Sequence, residues 1–436
     1  LFYNVSKIRV ASSAFENSEL INVPINLFTN STLINTIDYC FKGIQNPLSE
    51  YDGERKILIV PDNLFVNLPY VNSINEAFMN TFMGNINDNI FSSVPKIINA
   101  NNLFNGSSLG QIPINIFENA PLLESLEGTF ASYNLSEIPE NFLNNIPKLN
   151  NVLNIFKNSK ITSLPIGFLY NNNISKFKFS DLGIPGLLTV NSDILGCNKL
   201  IDITNLFSNV AIESIPNNLF STNSNISICL NLFTNSNIKS IGDNFLLDNS
   251  ITTINSLATG NVLLESIGNG FMKNSPFLVN TDYSFQNSSI SYIGNEFMKN
   301  CQNLTSCISM FRNSKLQEFG YEFMRNVPKL AYITNMFNES LISSISTNSF
   351  VYTGLTTFRF SNFCSNKLSL DQSFLSETNT IVNVNNMFTN SLIESIPNNF
   401  FNGHAIDNPS NIFYDSYIKS IGDNCFDNIQ KTDCST

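Results

Sequence analysis

Large apolar residues recur along this chain at an interval that no single helix or strand explains. Taking Phe15 as the first marker, the series runs through Phe41, Phe78, Phe104, Phe130, Phe156, Leu182, Phe207 and Phe233. It continues with Ala258, Phe285, Phe311, Phe337, Phe363, Phe388 and Phe413. The interval is about 26 residues throughout, except for an 11-residue insertion between Phe41 and Phe78. Whole phrases return with it: NLFSNVAIESIPNNLF at 205–220, NLFTNSNIKSIGDNFL at 231–246 and NMFTNSLIESIPNNFF at 386–401. Within a unit the large apolar positions fall near 1, 6, 9, 13, 20 and 23. A supersecondary unit repeated at fixed spacing predicts a solenoid in which each coil contacts its neighbours.

Two stretches per unit read as short strands. One covers positions 6 to 9, as in Ile212 to Ile215, and the other positions 20 to 23, as in Leu330 to Ile333. Stacked coils place them as parallel strands about 4.8 Å apart. A Pro (Pro113, Pro139, Pro165, Pro216, Pro397) or a Gly (Gly242, Gly268, Gly294, Gly422) follows the first stretch and ends it. The short segment after it, carrying Phe142, Phe168, Phe245, Phe271, Phe297, Phe323 or Phe400, predicts one helical or 3₁₀ turn with its Phe in the interior. The expected architecture is a leucine-rich-repeat-like parallel β-solenoid of about 15 coils, period about 26, with short helical or 3₁₀ turns on the opposite face. Residues 1–14 read as an N-terminal cap or the end of a preceding repeat. Residues 15–426 read as one solenoid with an insertion loop near 42–56, and 427–436 as a tail. The chain opens on Leu1 without a visible signal peptide, so either a segment has been removed or the sequence begins inside a longer product.

Composition sharpens this picture. Asn makes up about 70 of the 436 residues, while charged residues are only 13%, so surface polarity must come from amides. Asn102, Asn154, Asn205, Asn231, Asn335, Asn386 and Asn411 stand two residues before a marker, and Asn158, Asn209, Asn235, Asn287, Asn313 and Asn390 two after one. An amide at a fixed place in each coil predicts a ladder of side-chain bonds to neighbouring backbone. The net charge of −11 argues against a nucleic-acid partner. No apolar run approaches the ~20 residues of a membrane span.

These phrases resemble the leucine-rich repeats of the BspA type. The likeness is carried by LESIGNGFMKN at 264–274, ISYIGNEFMKNCQNLTS at 290–306 and IPNNLF at 215–220, and it extends over nearly all of 15–426. The resemblance implies a curved parallel solenoid of bacterial or protozoan surfaces, and similar arrays look like those of phage tail and host-recognition proteins. The longer period and the excess of Phe over Leu (38 Phe in all) depart from that family.

Candidate chemistry is sparse. Two units carry Phe177-Lys178-Phe179 and Phe358-Arg359-Phe360, with a cation where an inward aliphatic residue is usual. Either the strand has slipped or the aromatic pair faces out, where with Tyr332 it would suit a sugar ring or a protein partner. Leu153, Leu230 and Ile308 lie near the same edge. The insertion carries Glu50, Asp52, Glu54 and Arg55, a candidate docking loop for a multimeric virion scaffold or simply a tolerated surface loop. His404, the one histidine, reads as a surface residue. Glu118, Glu124 and Glu127 form the densest carboxylate group, fitting either solvated positions or the paired acids of a solenoid glycosidase. Cys229 and Cys307 share an interior slot, and Cys425 and Cys434 close a loop that an oxidising setting would let pair. No spacing matches a metal site, a nucleophile motif or a cofactor fold. The reading is a non-enzymatic, extracellular or cell-surface protein that binds a host protein or glycan without inserting into a membrane. A virion attachment protein is the alternative, with a solenoid polysaccharide hydrolase third.

Overall fold

The computed structural model describes residues 2–45, 57–132, 134–196, 199–221, 223–258, 263–356, 358–360, 367–372, 374, 381, 383–406 and 409–427. The chain divides into two compact units, Leu1–Leu200 and Ile201–Thr436. Each is a parallel β-solenoid built from the same coil.

In the second unit the positions 6-to-9 line forms a five-stranded parallel sheet. Its strands are β1 (Ser214–Ile215), β2 (Ser240–Ile241), β3 (Ser266–Ile267), β4 (Tyr292–Ile293) and β5 (Glu318–Phe319), paired in chain order. Equivalent residues are register partners, Ser214 with Ser240 and Ile215 with Ile241. A second parallel pair joins β6 (Ser395–Ile396) to β7 (Ser420–Ile421). From β1 to β6 the first residue faces outward and the second is buried, because strand side chains alternate.

The Pro and Gly that follow these strands have different roles. Pro216 follows β1 and Pro397 follows β6, the first strand of each sheet. In every later coil of the two sheets a Gly donates its N–H back to the preceding coil. Gly242 reaches the Ile215 carbonyl at 2.9 Å, Gly268 that of Ile241 at 2.7 Å, and Gly294, Gly320 and Gly422 continue at 2.8 Å. Pro has no such donor. The Gly also sits where a side chain cannot fit, since a Cβ on Gly294 would lie 2.6 Å from the Asn269 nitrogen.

The positions 20-to-23 line is stitched by single parallel bridges. In the first unit they run Thr36–Ser73–Asn99–Ser125–Asn151, and in the second Thr253–Asn280–Ser306–Tyr332. Asx side chains brace both lines, accepting a backbone N–H from the next coil. Asp38 accepts from Asn75, Asn75 from Asn101 and Asn101 from Glu127, at 2.7–2.9 Å. Beside the five-stranded sheet, Asn217, Asp243, Asn269 and Asn295 accept in turn from Asp243, Asn269, Asn295 and Tyr321.

This corrects the placement of the amide ladder. The side chains that bond backbone in the marker segments stand three residues before the marker, not two. The residues two before it serve a backbone purpose: Asn102, Asn154, Asn205, Asn231, Asn335, Asn386 and Asn411 have φ between 51° and 58°. The set two after the marker is left-handed as well, and there Asn313 also donates to the Asn287 side chain at 2.9 Å. Left-handed backbone costs most L-residues roughly 1–2 kcal/mol, and Asn tolerates it best after Gly. The conformation turns alternate amides toward the next coil. Thr281, Tyr283, Phe285 and Asn287 donate to Ser306, Ile308, Met310 and Arg312 at 2.9–3.1 Å.

The helical turn expected after the Pro or Gly is replaced by the same device. Glu296, Met298 and Asn300 all have positive φ, and their amides bond to Tyr321, Phe271 and Arg325 in neighbouring coils. A helix would direct those groups within the coil and leave the stack unbonded. Among the described residues the one 3₁₀ helix is Phe179–Leu182.

Registered backbones stack like side chains on like, and the core becomes two aromatic columns. Marker rings Phe15, Phe41, Phe78, Phe104 and Phe130 follow one another at 5.2–5.7 Å, nearly parallel. In the second unit Phe285, Phe311 and Phe337 continue the pattern at 5.3 and 5.6 Å. The facing column there is Phe271, Phe297 and Phe323, spaced 5.2 and 5.1 Å, with edge contacts across to Phe285. Such pairs add about 0.5–1.5 kcal/mol to the area they bury.

Two stability outcomes follow. Phe297→Ala, which removes a ring fully buried between two others, should lower unfolding free energy by about 3–5 kcal/mol in urea titration; parent-like unfolding contradicts the columns. Gly294→Ala should cost about 1–3 kcal/mol by overpacking against the Asn269 backbone, and a neutral result contradicts the close approach of the coils.

Candidate recognition face

The sequence pointed to two Phe-cation-Phe strands as an exposed aromatic site, and the structure corrects this. Phe177, Phe179, Phe358 and Phe360 are all buried, none more than 2% exposed. Residues two apart share a face of a strand, so both Phe of each motif turn inward and the intervening Lys178 or Arg359 turns toward solvent. The strand has slipped, the other reading the residues allowed. In the first unit the Phe130 amide reaches the Ile155 carbonyl, just before its marker, whereas the Phe156 amide reaches Leu182 itself. In the second, Phe360 occupies the marker column, stacked 4.9 Å from Phe388 with its amide on Met387. Lys178 pairs with Asp181 at 3.4 Å, and burial comes first in raising the Asp181 pKa, with Lys178 opposing it.

Tyr332 is the candidate aromatic that stands on the surface, 60% exposed. It stands on the positions 20-to-23 line of the second unit, and the coil two steps before it adds Phe277 (55% exposed), Val279 and Tyr283. The backbone fixes their spacing: Thr305 donates to the Val279 carbonyl at 2.9 Å, and Tyr332 donates to Thr305 at 3.2 Å. Tyr332 and Val279 are therefore two coils apart, roughly 10 Å. Asp282 lies among them with its carboxylate already engaged by Ser306, Asn280 and the Ile308 amide. Ile308 is half-buried, whereas Leu153 in the first unit and Leu230 in the second are exposed. Of this set the sequence pointed to Tyr332 alone, which sits on the bridge line; Phe277 and Tyr283 lie in turns, where no apolar periodicity marks them.

A charged ladder borders the same coils. Lys273 binds Glu296 at 2.8 Å, Glu296 binds Lys299 at 2.7 Å, and Lys299 binds Glu322 at 2.5 Å. Arg325 lies 3.6 Å from Glu322 and 5.2 Å from the Tyr352 ring. Burial works to raise the Glu296 pKa, but hydrogen bonds from Lys273 and Lys299 outweigh it and hold the carboxyl below 4.5. Burial likewise opposes the Lys299 charge, and Glu296 and Glu322 overcome it, raising its pKa.

The remaining candidates separate. Glu118 lines a depression of about 340 Å³ with Phe142, while Glu124 and Glu127 flank Ser125 on the bridge line. His404 is buried, not at the surface, because its amide closes a turn onto the Phe401 carbonyl behind Phe400 and Phe401. Cys229 and Cys307 are buried free thiols, and desolvation drives both pKa values up. Among the described residues no group of three His, Cys, Asp or Glu is placed to hold a metal, and no helix is long and apolar enough to cross a membrane. Glu50, Asp52, Glu54 and Arg55 of the docking loop, the marker Phe363, Cys434 and the tail from 428 lie outside the described residues.

No protein-family model matches the chain, and no curated protein matches it significantly. Among solved structures, a leucine-rich repeat protein from Bacteroides ovatus aligns over 93% of this chain and 80% of its own, at 13% identity and TM-score 0.28. The leucine-rich repeat domain of APL1 aligns over 83% and 76%, at 13% identity and TM-score 0.24. The plant peptide hormone receptor RGFR1, solved in complex with RGF2, aligns over 93% and 77%, at 11% and 0.25. The parallel strands and their register set the fold. The chain is a leucine-rich-repeat-like parallel β-solenoid.

Glu296→Gln should therefore destabilise the protein at neutral pH. A depressed carboxyl pKa stabilises the fold above its unfolded value, and that stability fades as pH falls through the folded pKa. The difference between variant and parent should close on acidification below 4.5, as followed by urea midpoints across pH. A difference that persists at low pH contradicts the ladder.

Proposed function

We propose that this chain is a non-enzymatic recognition protein of the BspA type, displayed outside the cell, that binds a protein or glycan on another cell. The observation that carries this reading is the exposed set Phe277, Val279 and Tyr283 on one coil with Tyr332 two coils further along the same line. Exposed aromatic rings held at fixed places on a rigid ladder suit partner binding, since aromatic side chains dominate the energetics of interfaces. The backbone bonds of Val279, Thr305 and Tyr332 set the aromatic spacing before a partner arrives, which reduces the ordering cost of association.

The test is attachment of the labelled protein to intact host cells, with Phe277→Ser and Tyr332→Ser combined. Because both side chains are exposed, urea unfolding should stay near the parent while attachment falls at least about tenfold. Attachment equal to that of the parent removes this face from the reading.

A further inference from the structure

We infer a second binding site in the first unit, a groove for acidic sugars of the uronate or sialate kind. This site is independent of the aromatic face in the second unit. It is a surface groove of about 420 Å³ running across successive coils, lined by Arg9, Asn35, Tyr70, Asn72, Lys96 and the aliphatic side chains of Leu33, Ile98 and Leu122. Its backbone is one continuous ladder: the amides of Asn35, Asn72 and Ile98 donate to Arg9, Asn35 and Asn72 at 2.8–2.9 Å. Coils about 4.8 Å apart place the Arg9 coil roughly 14 Å from the Ile98 coil, a length that spans two to three linked pyranose rings.

The lining combines three kinds of contact that a carboxylated sugar needs. Arg9 and Lys96 are both exposed, and neither has a carboxylate partner among the described residues. Among the described residues no acidic side chain lines the groove, although the whole protein carries a net charge of −11; Glu124 stands one coil beyond Ile98. Two unpaired cations in an acidic protein are a local complement to carboxylates, with Arg able to hold one by two hydrogen bonds. The Asn35 and Asn72 amides, on adjacent coils, each offer a donor and an acceptor to ring hydroxyls. Leu33, Leu122 and the half-exposed Tyr70 give apolar surface for the C–H faces of the rings. The Lys96 ammonium lies 4.4 Å from the Tyr70 ring centroid, which holds the cation over the groove. An acidic peptide would use the cations but has less need of the paired amides, so the sugar is the better match.

The experiment titrates the full 436-residue chain with tri-galacturonate and 3′-sialyllactose by calorimetry, against galactotriose, lactose and a Glu-rich peptide. Saturable binding of at least one carboxylated sugar is expected, weakening as salt is raised and much weaker for the neutral counterparts. Arg9→Gln and Lys96→Gln, made singly, should each reduce it about tenfold or more, with thermal midpoints unchanged because both side chains are exposed. Binding of neither carboxylated sugar, parent-like affinity in both variants, or tighter binding of the peptide overturns the assignment. The Phe277→Ser and Tyr332→Ser variant should retain sugar binding, so failure of the aromatic face and failure of the groove are separately visible.

Discussion

Each coil hands alternate backbone amides to carbonyls of the next, about 26 residues away, and the rest of the structure depends on that register. Once Thr281, Tyr283, Phe285 and Asn287 bond to Ser306, Ile308, Met310 and Arg312, equivalent side chains must lie over one another. The Phe columns are a consequence: rings at the same place in successive coils stack at 5–6 Å because the backbone beneath them repeats. The same constraint accounts for the abundance of Asn. Turning alternate amides the same way requires left-handed residues at fixed places, and outside Gly, Asn carries that conformation at least cost.

Register also explains how side chains with unlike chemistry become sites. Outward positions of neighbouring coils are brought to a common line whatever their sequence separation. Phe277 and Tyr332 in one unit, two coils apart, and Arg9, Asn35, Asn72 and Lys96 in the other, on a run of successive coils, are distant in sequence and close along the stack. Because the lines are hydrogen-bonded on both sides, these groups are presented by a scaffold with little freedom to rearrange. A solenoid can therefore vary its outward residues while the inward Phe, Ile and Leu hold the coil.

Much of this was legible in the chain. The period, both strand lines and the inward positions could be read from apolar spacing alone, because the interior repeats as strictly as the backbone does. The local backbone could not. The segment around Phe297 looked like a helical turn because its length and Phe spacing suit one, yet the amides of Glu296, Met298 and Asn300 turn outward to neighbouring coils. The difference between Pro216 and Gly242 was visible but was read only as a strand stop; the missing N–H of Pro, set against the Gly amides that bond backward, carries the additional meaning. Phe179 and Phe360 misled because alternation was counted from the marker: a one-residue slip puts Lys178 outside with both its Phe neighbours inside, and Phe360 itself takes the marker column. The groove at Arg9 and Lys96 offers no motif at all, since its residues belong to separate coils whose side-by-side placement emerges only on stacking.

Hydrogen–deuterium exchange of the native protein, resolved to single amides by NMR, tests the register most directly. The amides of Tyr283, Phe285 and Asn287 lie in turns, where exchange is ordinarily fast. If they are bonded to the next coil, they should exchange as slowly as the strand-line amides of Gly268 and Gly294. Exchange of the turn amides at the rate of open loops, with Gly268 and Gly294 protected, would contradict the account.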